Sequence, residues 1–154
     1  MAGNPQPMQE SPPSLTCRPL PASAARFTAE FERCWLWLWA SLLEGAFRYN
    51  GRPWPTHYRP HILGRIISGR SFFWPFPNCA FVTEFQESPT GLKSHITWLA
   101  GGELTEIVEK TPMIEDWGRV HGCHRQVGYG RRGWLRALEG YSEYGVSRQK
   151  SLIP

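Results

Sequence analysis

Apolar residues recur at three- and four-residue steps through Phe27, Phe31, Cys34, Leu38 and Leu42, while Arg26, Glu30, Arg33 and Glu44 fall largely on the other side. That period predicts an amphipathic helix over Ala25 to Phe47, with Gly45 near its end. Inside it, Trp35, Trp37 and Trp39 alternate with leucines, and three such rings cannot share one helical face. Either the buried face is wide or a ring lies at a subunit interface, because an exposed Trp is costly unless covered.

A Pro/Gly-rich connection, Asn50 to Pro55, leads to Thr56, which can cap a second helix from about His57 to Ser68. Pro60 falls in its first turn, where a missing N–H is tolerated, Ile62, Ile66 and Ile67 supply its apolar side, and Gly69 is the stop. The period then changes. Phe72–Phe76, Cys79–Gln86 and Leu92–Leu99 are rich in aromatic and β-branched residues, and the turn cluster Glu87 to Gly91 makes the last two an antiparallel hairpin. Pro75 and Pro77 restrict the first of the three to an edge.

A helical pattern follows through Leu104, Ile107, Val108, Met113, Ile114, Trp117 and Val120, with Pro112 expected to kink or split it and Gly122 to end it. A short strand, His124 to Tyr129, a helix near Arg132 to Glu139 and a final extended strand, Tyr141 to Leu152, complete the chain. The order predicts an α+β fold built on one largely antiparallel mixed sheet flanked by helices.

Composition changes this picture at the N-terminus. Six of the 14 prolines lie before Ala24, so residues 1–24 are expected as an extended Pro-rich arm, free or docked on a partner, and residues 25–154 as a single domain. A length of 154 residues leaves no room for two full cores. The net charge of +4 hides a segregation. Arg18 to Arg70 holds eight Arg against three Glu, Ser71 to Trp117 two Lys against seven acids, and Gly118 onward seven basic residues against two Glu. Basic ends around an acidic middle suit association with a phosphate-bearing ligand or another subunit, or make an ordinary solvated exterior. Four widely spaced cysteines and no signal-peptide pattern point to reduced thiols in a cytosolic setting. The longest apolar stretch, Cys34 to Leu43, is too short to span a bilayer.

Candidate chemistry is sparse. Leu99-Ala100-Gly101-Gly102-Glu103 joins a strand to a helix start, where free N–H groups favour an anion, although Glu103 itself can answer the dipole. Glu84 on the central hairpin is a candidate base or a solvated carboxylate. His121-Gly-Cys123-His124 lacks the second pair that a structural zinc site needs, so no metal is expected. Gly128 to Trp134 is the densest feature: Arg131 and Arg132 can grip phosphate or carboxylate and Trp134 can pack beneath them, as in nucleic-acid contact, or the stretch is a tight turn over a core Trp.

From Cys79 to Leu152, the runs Phe81-Val-Thr-Glu-Phe85, Thr97-Trp-Leu-Ala-Gly-Gly102, Ile114-Glu-Asp-Trp117, His121-Gly-Cys123 and Gly130-Arg-Arg-Gly-Trp134-Leu-Arg-Ala-Leu-Glu-Gly-Tyr141 resemble a family of small phage and prophage proteins similar in fold to the GNAT-type N-acetyltransferases. The resemblance implies a GNAT-like sheet and a place for acetyl-CoA at Ala100 to Glu103, while the Pro-rich arm and the Trp-rich first helix lie outside it. Two departures mark that place as degenerate. Acetyltransferases of this fold carry an (Arg/Gln)-x-x-Gly-x-(Gly/Ala) loop where this chain has only Ala100-Gly-Gly-Glu103, and Arg136 stands where they often carry a tyrosine acid. The resemblance therefore implies a non-enzymatic, virion-associated protein with no cofactor, in the virion or host cytoplasm. Its partners would be other virion proteins or itself through Trp35, Trp37, Trp39, Arg131, Arg132 and Trp134, with nucleic-acid contact at the basic C-terminal segment. The alternative is an acetyl-CoA-dependent N-acyltransferase with Gly101 and Gly102 at the pyrophosphate and Glu84 as base.

Overall fold

The stripe Phe27, Phe31, Cys34, Leu38 and Leu42 is the buried side of helix α1, Phe27–Leu43. The computed structural model describes residues 17–129, 136–145 and 147–154. α1 stops four residues short of the expected Phe47, because Gly45 takes φ +70° and turns the chain out of the helix. The expected loop Asn50–Pro55 is instead half of a small hairpin, β1 (Phe47–Tyr49) paired antiparallel with β2 (Arg52–Trp54). Asn50 and Gly51 both adopt positive φ, 51° and 74°, as a two-residue turn with the twist of its flanking strands requires.

Helix α2 spans Arg59–Ile67, with Pro60 in its first turn and Gly69, at φ +78°, just past its end. Thr56 does not cap it. Its hydroxyl bonds the neighbouring His57 ring at 2.8 Å, and the His61 ring accepts the Tyr58 N–H at 2.8 Å where the helix begins.

Strands β3 (Ser71–Pro75), β4 (Cys79–Glu87), β5 (Lys93–Gly102) and β6 (Arg125–Gly128) form the main sheet in that order. The first three are antiparallel, and β6 joins β5 in parallel after helix α3, Leu104–Val120. The proline-bearing β3 is at an edge, where a missing N–H harms no ladder. Val82 pairs with Leu99 and Thr83 with Thr97, so Trp98 is an extra residue on β5 and the strand bulges there.

One face of this sheet is covered by α1 and α2, together with Leu20, whose N–H donates to Phe73 O at 2.8 Å. α3 covers the other, over Trp74, Cys79, Phe81 and Ala100. α3 runs through Pro112 as one helix, against the expected split. The proline removes a single N–H, the Thr111 hydroxyl donates to Ile107 O at 2.7 Å, and Ile107 and Ile114 anchor the helix on either side. Gly122, at φ +76°, follows its end.

The expected strand Tyr141–Leu152 is absent among the described residues. Ser142, Glu143, Arg148, Gln149 and Lys150 leave it no alternating apolar face to bury. Of the expected helix Arg132–Glu139, Arg136 and Ala137 lie in a helical turn, and Arg132 to Leu135 fall outside the described residues. The described chain is thus a mixed α+β structure with three helices, a mostly antiparallel four-stranded sheet and a separate two-stranded one. None of its helices is long and apolar enough to cross a membrane.

Candidate functional site

β5 pairs with β6 only over Ser94–Thr97 and then continues to Gly102 paired with β4 alone, so its end opens on the start of α3 where sequence places Ala100, Gly101, Gly102 and Glu103. α1 closes on this end. The Ala100 N–H donates to Ser41 Oγ at 3.1 Å. A Cβ on Gly101 would lie 2.2 Å from the Trp37 carbonyl oxygen, so glycine is needed for the helix to touch the strand. Gly102, at φ +114°, sits where a Cβ would meet Asn78 O at 2.3 Å. Asn78 O accepts from Glu103 N–H at 2.8 Å, and the Asn78 N–H donates to the Glu106 carboxylate. Both glycines are thus occupied by close backbone approach, and a carboxylate of the first turn already stands at the helix start.

Glu84 lies elsewhere. It pairs across the ladder with Ile96, whereas Gly101 pairs with Ala80, a separation of roughly 13 Å along the strand. Its Oε1 accepts from Arg65 Nε at 2.8 Å and Ser71 Oγ at 2.6 Å, and Arg65 Nη2 is 2.8 Å away. An oxygen so engaged is a positioned acceptor. It borders an open groove of about 370 Å³ with His57, Trp98 and Tyr129. Burial, then the nearby Arg65 charge, holds His57 below its usual pKa, and its ring meets Trp98 edge-on at 4.7 Å.

Trp35, Trp37 and Trp39 are all half-buried on the flanks of the α1 stripe, and Leu36, 75% exposed, is the residue that points away. Trp35 stacks on Phe31 and has the Arg59 guanidinium 5.4 Å from its centroid, Trp37 carries Arg33, and Trp39 stacks on Tyr58. All three rings thus pack against the core of this chain and leave part of their surface open. Arg131, Arg132 and Trp134 lie outside the described residues.

Two groupings escaped the sequence. His95, on β5, is fully buried against Gly118, and neither ring nitrogen reaches a hydrogen-bond partner among the described residues; Trp117 Nε1 and Gln126 Oε1 are likewise unpartnered. Burial pushes the His95 pKa down to about 4. Gln126 and Gly118 also line a cavity of about 780 Å³ between α3, β6 and the C-terminal segment, where the Tyr141 hydroxyl donates to Glu115 at 3.2 Å. The second grouping is the aromatic hairpin β1–β2, signalled in sequence by Asn50-Gly51. Among the described residues no cluster of three or more His, Cys, Asp or Glu could hold a metal ion. His124 instead accepts the Lys93 N–H at 3.0 Å, and His121 packs on Trp117.

No family model, no curated protein and no solved structure matches the chain.

Proposed function

We propose that the protein is a non-enzymatic, virion-associated bacteriophage component that uses a GNAT-like fold as a rigid docking module with a degenerate acyl-CoA site. The observation that carries this reading is the closure of the β5 end by α1. Ser41 takes the Ala100 N–H and the Trp37 carbonyl sits on Gly101, so the backbone that a pantetheine or pyrophosphate would use is already engaged. Partners would be other virion proteins or a second copy, and the half-buried Trp35, Trp37 and Trp39 beside exposed Leu36 offer such a surface. Calorimetric titration of the full chain with acetyl-CoA is expected to give no binding, and mass spectrometry of purified particles to detect the chain. Micromolar acetyl-CoA affinity, or absence from particles, overturns the reading.

One observation favours the alternative, an acyl-CoA-dependent N-acyltransferase. Three antiparallel strands are followed by α3 and a parallel strand that pairs with β5 only over Ser94–Thr97, leaving a parting of parallel strands where a cofactor arm could enter.

A further inference from the structure

The β1–β2 hairpin stands outside both apolar clusters, and its chemistry differs from that of the rest of the surface. Directly opposed residues of an antiparallel pair share a face, so Phe47, Trp54, Tyr49 and Arg52 form one side. Ring centroids are 6.4 Å apart for Phe47 and Trp54 and 6.2 Å for Tyr49 and Trp54. Trp54 is 53% and Tyr49 42% exposed, so these rings offer open faces to solvent. Such an aromatic patch marks an interaction site.

The charge around it has one sign. From Gly45 to Pro60 the chain carries Arg48, Arg52 and Arg59 and no carboxylate. Arg59 is engaged with Glu32, whereas Arg48 is held at the turn by the Gly51 carbonyl, 2.9 Å away, and Arg52 is exposed. The far end of the chain adds to this. Gln149 Nε2 donates to Gly45 O at 3.1 Å, which brings exposed Arg148 and Lys150 to the base of the hairpin. Arg48, opposite Pro53, is on the other face of the hairpin, so three exposed cations, Arg52, Arg148 and Lys150, accompany the two open rings, with Glu44 as the adjoining acid in sequence.

We infer that the hairpin and the adjoining C-terminal segment bind single-stranded nucleic acid, with unpaired bases stacked on Trp54 and Tyr49 and phosphates held by Arg52, Arg148 and Lys150. Stacking is tolerant of base identity, and guanidiniums match phosphate geometry. An apolar protein partner would cover the rings and leave the three cations without anions. A duplex would satisfy the cations but hide the base faces from the rings. The site does not depend on the docking-module reading, and acetyl-CoA binding would leave it intact.

The test is anisotropy of a labelled 20-nucleotide oligothymidylate with the full chain. Raising salt from 50 to 200 mM is expected to weaken binding about 20-fold, for a log–log slope of about −2 from three phosphates. Arg52→Gln with Lys150→Gln should cut that slope to about a third, Arg48→Gln should leave it unchanged, and Trp54→Ala should weaken binding about 5- to 100-fold at fixed salt. Should Trp54→Ala alter the circular dichroism spectrum, the Arg52→Gln and Lys150→Gln variants, at exposed sites, carry the test through the salt slope. Absence of binding, a salt-independent affinity, or equal affinity for a duplex of the same length overturns the proposal. So does equal competition by polyglutamate, or a Trp54→Ala variant that stays folded and binds as before. Loss of self-association in that variant with oligonucleotide binding unchanged assigns the rings to a protein interface and likewise overturns it.

Discussion

The two faces of the main sheet are built differently. Under α1 and α2 the buried cluster is hydrocarbon apart from the Cys34 thiol, with Leu20, Phe27, Phe31, Leu38, Ile62, Ile66, Phe73, Val82 and Leu99, and the buried Ser71 hydroxyl at its margin is paired with Glu84. Under α3 the apolar cluster of Trp74, Phe81, Ile107 and Ile114 is interrupted by polar groups. Some of these are satisfied, as where Trp74 Nε1 donates to Thr83 Oγ1 at 2.9 Å. Others, the His95 ring, Trp117 Nε1 and Gln126 Oε1, are buried without a partner among the described residues. A face of hydrocarbon stabilises the fold at any pH, whereas a face holding a neutral buried imidazole does so only while that ring stays unprotonated.

The largest expected effect lies on the hydrocarbon face. Leu38 is fully buried, and Leu38→Ala should lose about 3–4 kcal/mol from the lost transfer energy and the cavity left behind. Denaturant melts should give the same loss at pH 7 and pH 5. A loss that varies with pH would break the contrast between the faces.

His95 gives the next effect, and its sign follows from linkage. The unfolded ring titrates near 6.5 and the folded one at about 4, lowered chiefly by burial, with the nearby His121 adding to the shift. As pH falls the unfolded state binds the proton first. The stability held by the neutral ring is therefore full above pH 6.5 and is lost between 6.5 and about 4, amounting to about 2 kcal/mol by pH 5 and about 3 by pH 4. His95→Gln should flatten that slope between pH 7 and 5. An unchanged slope in the variant would place the acid sensitivity elsewhere.

Where the faces meet at the end of β5, the effect is smaller. Ser41→Ala leaves the Ala100 N–H without its acceptor and should cost about 1–2 kcal/mol at every pH. A neutral result by thermal melt would show that this N–H finds another partner, and would weaken the closure on which the functional proposal rests.

How far these features were legible follows from their range along the chain. The α1 stripe and the strand-to-helix position of Ala100 to Glu103 are local patterns, and sequence periodicity located both. What fills the β5 end was not local: Trp37 and Ser41 come from a helix some sixty residues earlier. Gly101 therefore looked as apt for a phosphate as for a helix backbone. The β1–β2 hairpin carried its Asn50-Gly51 signal, but Pro53 and Pro55 in so short a stretch made a loop the simpler expectation. His95 falls on a strand where period-2 alternation groups it with the polar Lys93 and Thr97, and nothing in its neighbours along the chain tells that Gly118 admits it to a buried site without a hydrogen-bond partner among the described residues.

Glu84 sharpens the contrast at its small end. On the α2 side of the sheet the polar groups are paired, and the Arg65–Glu84 bridge at 2.8 Å keeps both side chains partly exposed, 32% and 22%. Arg65 also lies 5.8 Å from the Trp98 ring centroid, so removing it takes away packing as well as charge. A double-mutant cycle over Arg65→Met and Glu84→Gln isolates the pair from that packing. With one face open to water, the coupling should be about 0.5–1 kcal/mol and should shrink in high salt. A coupling several-fold larger and insensitive to salt would mean that Glu84 is shielded far more than its exposure indicates. The unpaired groups beneath α3 would then no longer be the principal electrostatic liability of the fold.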